Sequence, residues 1–234
     1  MHESFEAPGA IEKWARENDC PVGYTRLYEG DSFPADVNQF DYLIVMGGPQ
    51  SPATTLEESP HFDSKKEIEF IKRAIDANKY LLGVCLGAQM IGEALGGKFD
   101  HSPNREIGVF ELELTDDGKR DPIISQFGEK FMVGHWHGDM PGLTTDSKIL
   151  ATSKGCPRQI VRYSPKIYGF QCHFEFTPQA IEGMIQNNAQ ELEQYKGLPY
   201  IETADQLRAH DYQPINSLLF KFLDYMKADF KPSV

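Results

Sequence analysis

The four cysteines of this chain, Cys20, Cys85, Cys156 and Cys172, are scattered, and no two form a CxxC pair. That spacing excludes the common zinc and redox-pair patterns. Positive charge is scarce: 23 Lys and Arg face 35 Asp and Glu, a net charge of −12. An acidic surface repels phosphate backbones, so no nucleic-acid partner is expected. The basic runs Lys65-Lys66 and Lys119-Arg120 are too short to form a patch. No apolar run approaches the ~20 residues of a membrane helix. No signal-peptide pattern precedes the first acidic residues, and the expectation is a cytoplasmic protein with no membrane contact. Internal repeats, low-complexity segments and an ATP-binding loop are also lacking. What is present is a 234-residue chain, 40% hydrophobic and 25% charged, long enough for one large α/β domain.

Alternating strand and helix patterns favour an α/β fold with an open, mostly parallel sheet flanked by helices. Residues 42–46 (YLIVM) read as a short apolar strand stopped by Gly47-Gly48-Pro49. Ser59 and Pro60 resemble a helix cap with an N1 proline, and Ile68, Ile71 and Ile75 recur at helical spacing after them. Residues 80–85 (YLLGVC) read as a second buried strand running into a helix over 86–95. The middle is strand-rich, with strands expected over 108–114, 130–136, 148–152, 159–163 and 167–172. Thr177-Pro178 caps a helix with Ile181, Met184, Ile185 and Leu192 on one face. A last helix aligns Leu219, Phe222, Leu223 and Met226. The chain is expected to be one domain, with a core over about 38–195 and a helical extension over 196–234. At the start, a helix from about Ala10 to Asn18 follows a segment too short and polar for a buried first strand.

Residues 83–87 read Gly-Val-Cys-Leu-Gly between a strand and a helix. This is the G-x-C-x-G form of the nucleophile elbow, in which a sharp turn lifts the reactive side chain above the sheet edge. Glycines relieve the crowding on either side, and the helix N-terminus favours the thiolate. A thiolate attacking a carbonyl needs a base and oxyanion donors. In Gln171-Cys172-His173-Phe174-Glu175, His173 and Glu175 are two residues apart, so on an extended chain they share a face and Glu175 can orient the imidazole. Backbone N–H groups of Leu86 and Gly48 are candidate oxyanion donors. Each element alone is also compatible with a blander reading: a buried structural cysteine, a strand-end histidine beside a solvated glutamate, a plain strand-ending turn.

The three elements MGGPQSP (46–52), GVCLGAQ (83–89) and QCHFEFTP (171–178), in this order, resemble the class I (triad) glutamine amidotransferases. The resemblance spans roughly residues 38–186 and looks closest to stand-alone, GMP-synthase-like glutaminase domains. It implies a flavodoxin-like fold and a Cys85–His173–Glu175 triad with Gly48 and Leu86 as the oxyanion hole. It also implies a substrate pocket formed by Gly47, Gln89, Trp136, His137, Gly138 and Asp139. The family's His-Pro-Glu is here His173-Phe174-Glu175, and its Ser before His-Gly-Asp is here Trp136. Both changes point to pocket shape, and Trp136 and Phe174 are expected at the leaving-group side. By the resemblance, the family's first strand has no counterpart here.

His135 and His137 could share a metal on one strand face, but no third ligand is evident, so no metal and no cofactor are expected. His2, His61 and His101 lie in polar surroundings and are expected at the surface, and Cys172 is expected on the face opposite His173. Three functions remain open. The first is glutamine hydrolysis with ammonia passed to an unidentified acceptor, such as a separate synthase. The second is γ-glutamyl peptide hydrolysis with the same triad. The third is a non-catalytic binding or regulatory role on this fold.

Overall fold

A computed structural model describes residues 1–230. The last four residues of the expected C-terminal extension, 231–234, lie outside the described residues. Seven strands form one sheet: β1 (Tyr42–Val45), β2 (Tyr80–Val84), β3 (Asp100–Leu114), β4 (Lys130–Met140), β5 (Lys148–Thr152), β6 (Ile160–Ser164) and β7 (Ile167–Phe170). Among the described residues seven α-helices surround it: α1 (Ala10–Glu17), α2 (Ser64–Asp76), α3 (Leu86–Ala94), α4 (Pro178–Asn187), α5 (Ala189–Tyr195), α6 (Ala204–Ala209) and α7 (Gln213–Asp229).

The strand order is β1-β2-β7-β6-β5-β3-β4. β1, β2 and β7 are parallel, and the other four pairings are antiparallel. The sheet is therefore mixed, with its parallel part confined to the strands that carry the site. Connection length explains the division: β6 and β7 are joined by two residues, which suffices for a hairpin, whereas a parallel neighbour needs a crossover of a dozen or more. β3 and β4 form a long antiparallel ribbon with a bulge between His101 and Glu106.

The strand period of two sorts side chains to the two faces. Leu81 joins Val45, Val161 and Ile167 against Ile71 and Ala74 of α2 and Leu86, Met90 and Ile91 of α3. Tyr80, Leu82 and Val84 point the other way, into a core with Trp14 of α1, Ile181 of α4 and Leu219 and Phe222 of α7.

Some expected boundaries move. α2 is capped by Asp63, whose side chain accepts from Lys66 N, and not by Ser59. β3 begins at Asp100 instead of 108, and β4 continues to Met140, so His137-Gly138-Asp139 lies on a strand. No strand precedes α1 among the described residues. Residues 1–9 instead cross the carboxyl ends of β1 and β2, where the site is built.

Candidate active site

Cys85 sits between β2 and α3 with φ +51°, the half of backbone space that side chains other than glycine avoid. Such a conformation costs on the order of 1–3 kcal/mol and persists only where the surroundings enforce it. Here they do: Cys85 N donates to Phe170 O at 2.7 Å. A Cβ on Gly83 would strike the Gly87 carbonyl, and one on Gly87 would strike the Val45 carbonyl. The elbow read from the sequence is thus present, and both its glycines are required by close approach.

His173 lies just past β7. A two-way bridge holds its backbone: His173 N donates to Gly134 O at 2.8 Å, and Gly134 N to His173 O at 3.2 Å. Phe176 stacks on the imidazole at 4.2 Å, within 8° of parallel. Nδ1 lies 2.6 Å from Glu175 Oε1, as the shared face predicts. Phe174, between them, turns into the core against Phe127, Phe131 and Phe170. It does not line the pocket, contrary to the expectation for a leaving-group wall.

These three side chains are nearly sealed: Cys85 is 6% exposed, His173 0% and Glu175 3%. Burial opposes charge on His173, but Glu175 and the neighbouring thiol outweigh it, and its pKa rises well above the ordinary value. Burial also pushes the Cys85 thiol up, against the pull of His173 and of the Leu86 N–H. The helix start therefore helps the thiolate less than burial hinders it. His173 Nε2 is buried without a formed hydrogen bond. The side chains of His173 and Cys85 are close enough to shift each other's titration.

Around this core, Leu86 N–H faces the thiol, and Gly47-Gly48 passes beside it: a Cβ on Gly47 would lie 3.4 Å from Cys85 Cβ. Trp136 presents its carbonyl to Cys85 Sγ at 3.7 Å, while its indole N–H donates to Glu191 on α5. Gln89 is buried. It donates to Gln171 at 3.2 Å, leaving its own Oε1 without a partner. His137 and Asp139 make other contacts: His137 meets Glu106 and Gln159, and Asp139 bonds His101 at 2.6 Å. Gly138 packs on the Arg105 guanidinium.

Four residues escaped the sequence reading. Gln171 donates to Cys85 Sγ at 3.4 Å; its place two residues before His173 was the available signal. Phe176 was legible only as core. Glu6 is 8% exposed, with Oε2 2.5 Å from where a Gly47 Cβ would stand. His2, expected at the surface, is 0% exposed. Nothing in the local pattern of residues 1–9 marks either, because tertiary contact alone buries them. His101 is exposed and His61 half-exposed. Cys172 is buried with its thiol toward Gln159 O, packed as expected.

Glu106 and Cys156 come together with His137, the further ligand types that the sequence did not reveal. The Glu106 carboxylate already accepts from Ser153 at 2.8 Å and Gln159 at 2.6 Å. With its carboxylate oxygens taken up by these donors, Glu106 serves a hydrogen-bonded core network.

The glutamine amidotransferase class-I family model matches residues 10–191. The chain is 49% identical over 224 residues to the glutamine amidotransferase-like protein YfeJ of Salmonella typhimurium, covering 96% of this chain and 94% of that protein. It is 31% identical over 163 residues to the glutamine-hydrolysing GMP synthase of Tolumonas auensis, 66% of this chain but only 29% of that enzyme. The crystal structure of SMU.1228c superposes with a TM-score of 0.94 at 44% identity, covering 97% of each chain. A Thermotoga maritima glutamine amidotransferase shares the fold, with a TM-score of 0.84 at 24% identity over 97% of this chain and 95% of that one. Sequence, elbow and sheet thus agree, and the chain belongs to the class I glutamine amidotransferase family.

Proposed function

We propose that this chain hydrolyses the side-chain amide of glutamine through a thioester on Cys85. The observation that carries the reading is the backbone-strained Cys85 beside a buried imidazole whose Nδ1 is held at 2.6 Å by Glu175. With Nδ1–H donated to Glu175, Nε2 is the nitrogen that takes up the thiol proton, and the raised basicity of His173 favours that transfer. It takes the thiol proton as Sγ attacks the amide carbon, and N–H groups of Leu86 and Gly48 receive the oxyanion. The imidazolium then protonates the leaving nitrogen, and ammonia departs. Water, deprotonated by the same Nε2, attacks the thioester; collapse releases glutamate and restores the thiol. The unpartnered Gln89 Oε1 supplies an acceptor for the substrate.

The ammonia passes to an acceptor such as a synthase; the chain spans less than a third of the length of the glutamine-hydrolysing GMP synthase it matches. Near-complete burial of Cys85 favours a small leaving group over a peptide. The test is release of ammonia and glutamate by the purified protein from glutamine and from γ-glutamyl dipeptides. Preference for the dipeptides would replace this reading with the peptidase one, and inertness toward both with Cys85 unreactive would replace it with a binding role.

A further inference from the structure

His2 is fully buried and touches two acceptors. Nδ1 lies 2.9 Å from Gly47 O, and Nε2 lies 2.9 and 3.0 Å from the two carboxylate oxygens of Glu67 on α2. A carbonyl and a carboxylate can only accept, so both ring nitrogens carry hydrogens and His2 stands as an imidazolium paired to Glu67. Phe62 closes edge-on against the ring at 5.4 Å.

The Gly47 carbonyl belongs to the same planar unit as the Gly48 N–H, and in a trans peptide the two point in opposite directions. The peptide runs between His2 and the elbow. A Cβ on Gly48 would meet His2 Cβ at 2.9 Å and Leu86 Cδ2 at 3.0 Å, and one on Gly47 would meet Cys85 Cβ at 3.4 Å. Both residues are glycine, which lowers the barrier to rotating this peptide. We propose that His2 is a positioning residue for the oxyanion hole: by holding the Gly47 carbonyl it keeps the Gly48 N–H turned toward Cys85. Glu67 fixes the ring that does so. The inference rests on the amidase reading for its consequence, though not for its geometry.

The test compares His2→Ala with His2→Asn, whose side-chain N–H₂ can replace Nδ1 as donor to the carbonyl. In His2→Ala, glutaminase kcat should fall about 10²–10³-fold, the loss of one oxyanion donor, with KM little changed. Alkylation of Cys85 by iodoacetamide, which develops no oxyanion, should keep the wild-type rate. His2→Asn should recover most of the lost kcat. Wild-type kcat in His2→Ala would overturn the proposal, as would parallel loss of alkylation and turnover in both variants, which marks a merely structural role. Crystal structures of the same proteins decide it without any assay: a rotated or split Gly47–Gly48 peptide in His2→Ala supports it, and an unmoved one overturns it. If the wild type hydrolyses no amide, the proposed function fails while this peptide still gives its answer.

Discussion

Glu6 brings a second carboxylate to a site that already holds Glu175, and it makes no hydrogen bond to the described residues. Burial is the largest influence on it. His173 and His2 pull its pKa down, Glu175 and Glu3 push it up, and the result is about 7 against an ordinary 4.5. The folded protein therefore keeps this proton across a window in which the unfolded chain has lost it. Stability contributed at low pH declines as pH rises from about 4.5 to about 7 and is flat above, by at most on the order of 3 kcal/mol. Glu6→Gln should remove that decline, read as urea midpoints of both proteins at pH 5 and pH 8. A wild-type-minus-variant difference that does not change with pH would contradict it. The proposed triad offers a second test at this scale. Burial raises the Cys85 thiol while His173 beside it pulls it down, so forming the thiolate depends on His173. His173→Ala should then be as inactive as Cys85→Ala, while Glu175→Gln, which removes only the orienting charge, should retain measurable turnover. Near-wild-type turnover without His173 would assign the base elsewhere.

At the scale of elements, the site rests on the approach of α3 to β1. A methyl group on Gly87 would strike the Val45 carbonyl, so Gly87→Ala must push the helix away from the strand that leads into Gly47. The expected cost is about 1–3 kcal/mol, in the range of overpacking a core, with activity falling further than stability because the thiol moves with the helix. A thermal melt beside a glutaminase assay checks both. The elbow was legible because an apolar strand, two glycines and a helix surround one cysteine. The His173–Glu175 pair was legible because strands have a period of two. Thr177 was correctly read as a cap, its side chain accepting from Ala180 N. Ser59 does not cap α2 as read; Asp63 does, because Ser and Asp both cap helices and only the fold shows which one meets the first turn. The polar start of β3, residues 100–107, was missed because its partner β4, rather than its own composition, makes it a strand. Phe174 was misplaced for want of applying the same alternation that placed its neighbours.

Over the whole molecule, the N-terminal segment closes the site. His2 grips Gly47, Glu3 meets Gln50 and His61, and Ala10 N donates to Glu175 O at 2.9 Å. A cleft of about 440 Å³ opens beside Glu3, Pro49 and Gln50, just outside this cover. No helix of the described residues is long and apolar enough to cross a membrane. The sealed thiol leads to slow turnover in isolation, and steady-state kcat on glutamine should stay below about 10 s⁻¹, the median of working enzymes. A faster rate would show that the site opens without a partner. The identity of the nucleophile does not depend on that rate. It is tested most directly by incubating the protein with the glutamine analogue diazo-oxo-norleucine and mapping the adduct by mass spectrometry. The account predicts a single adduct on Cys85, with Cys20, Cys156 and Cys172 unmodified. An adduct on another cysteine in preference, or a Cys85 that stays unlabelled while other residues react, would contradict it.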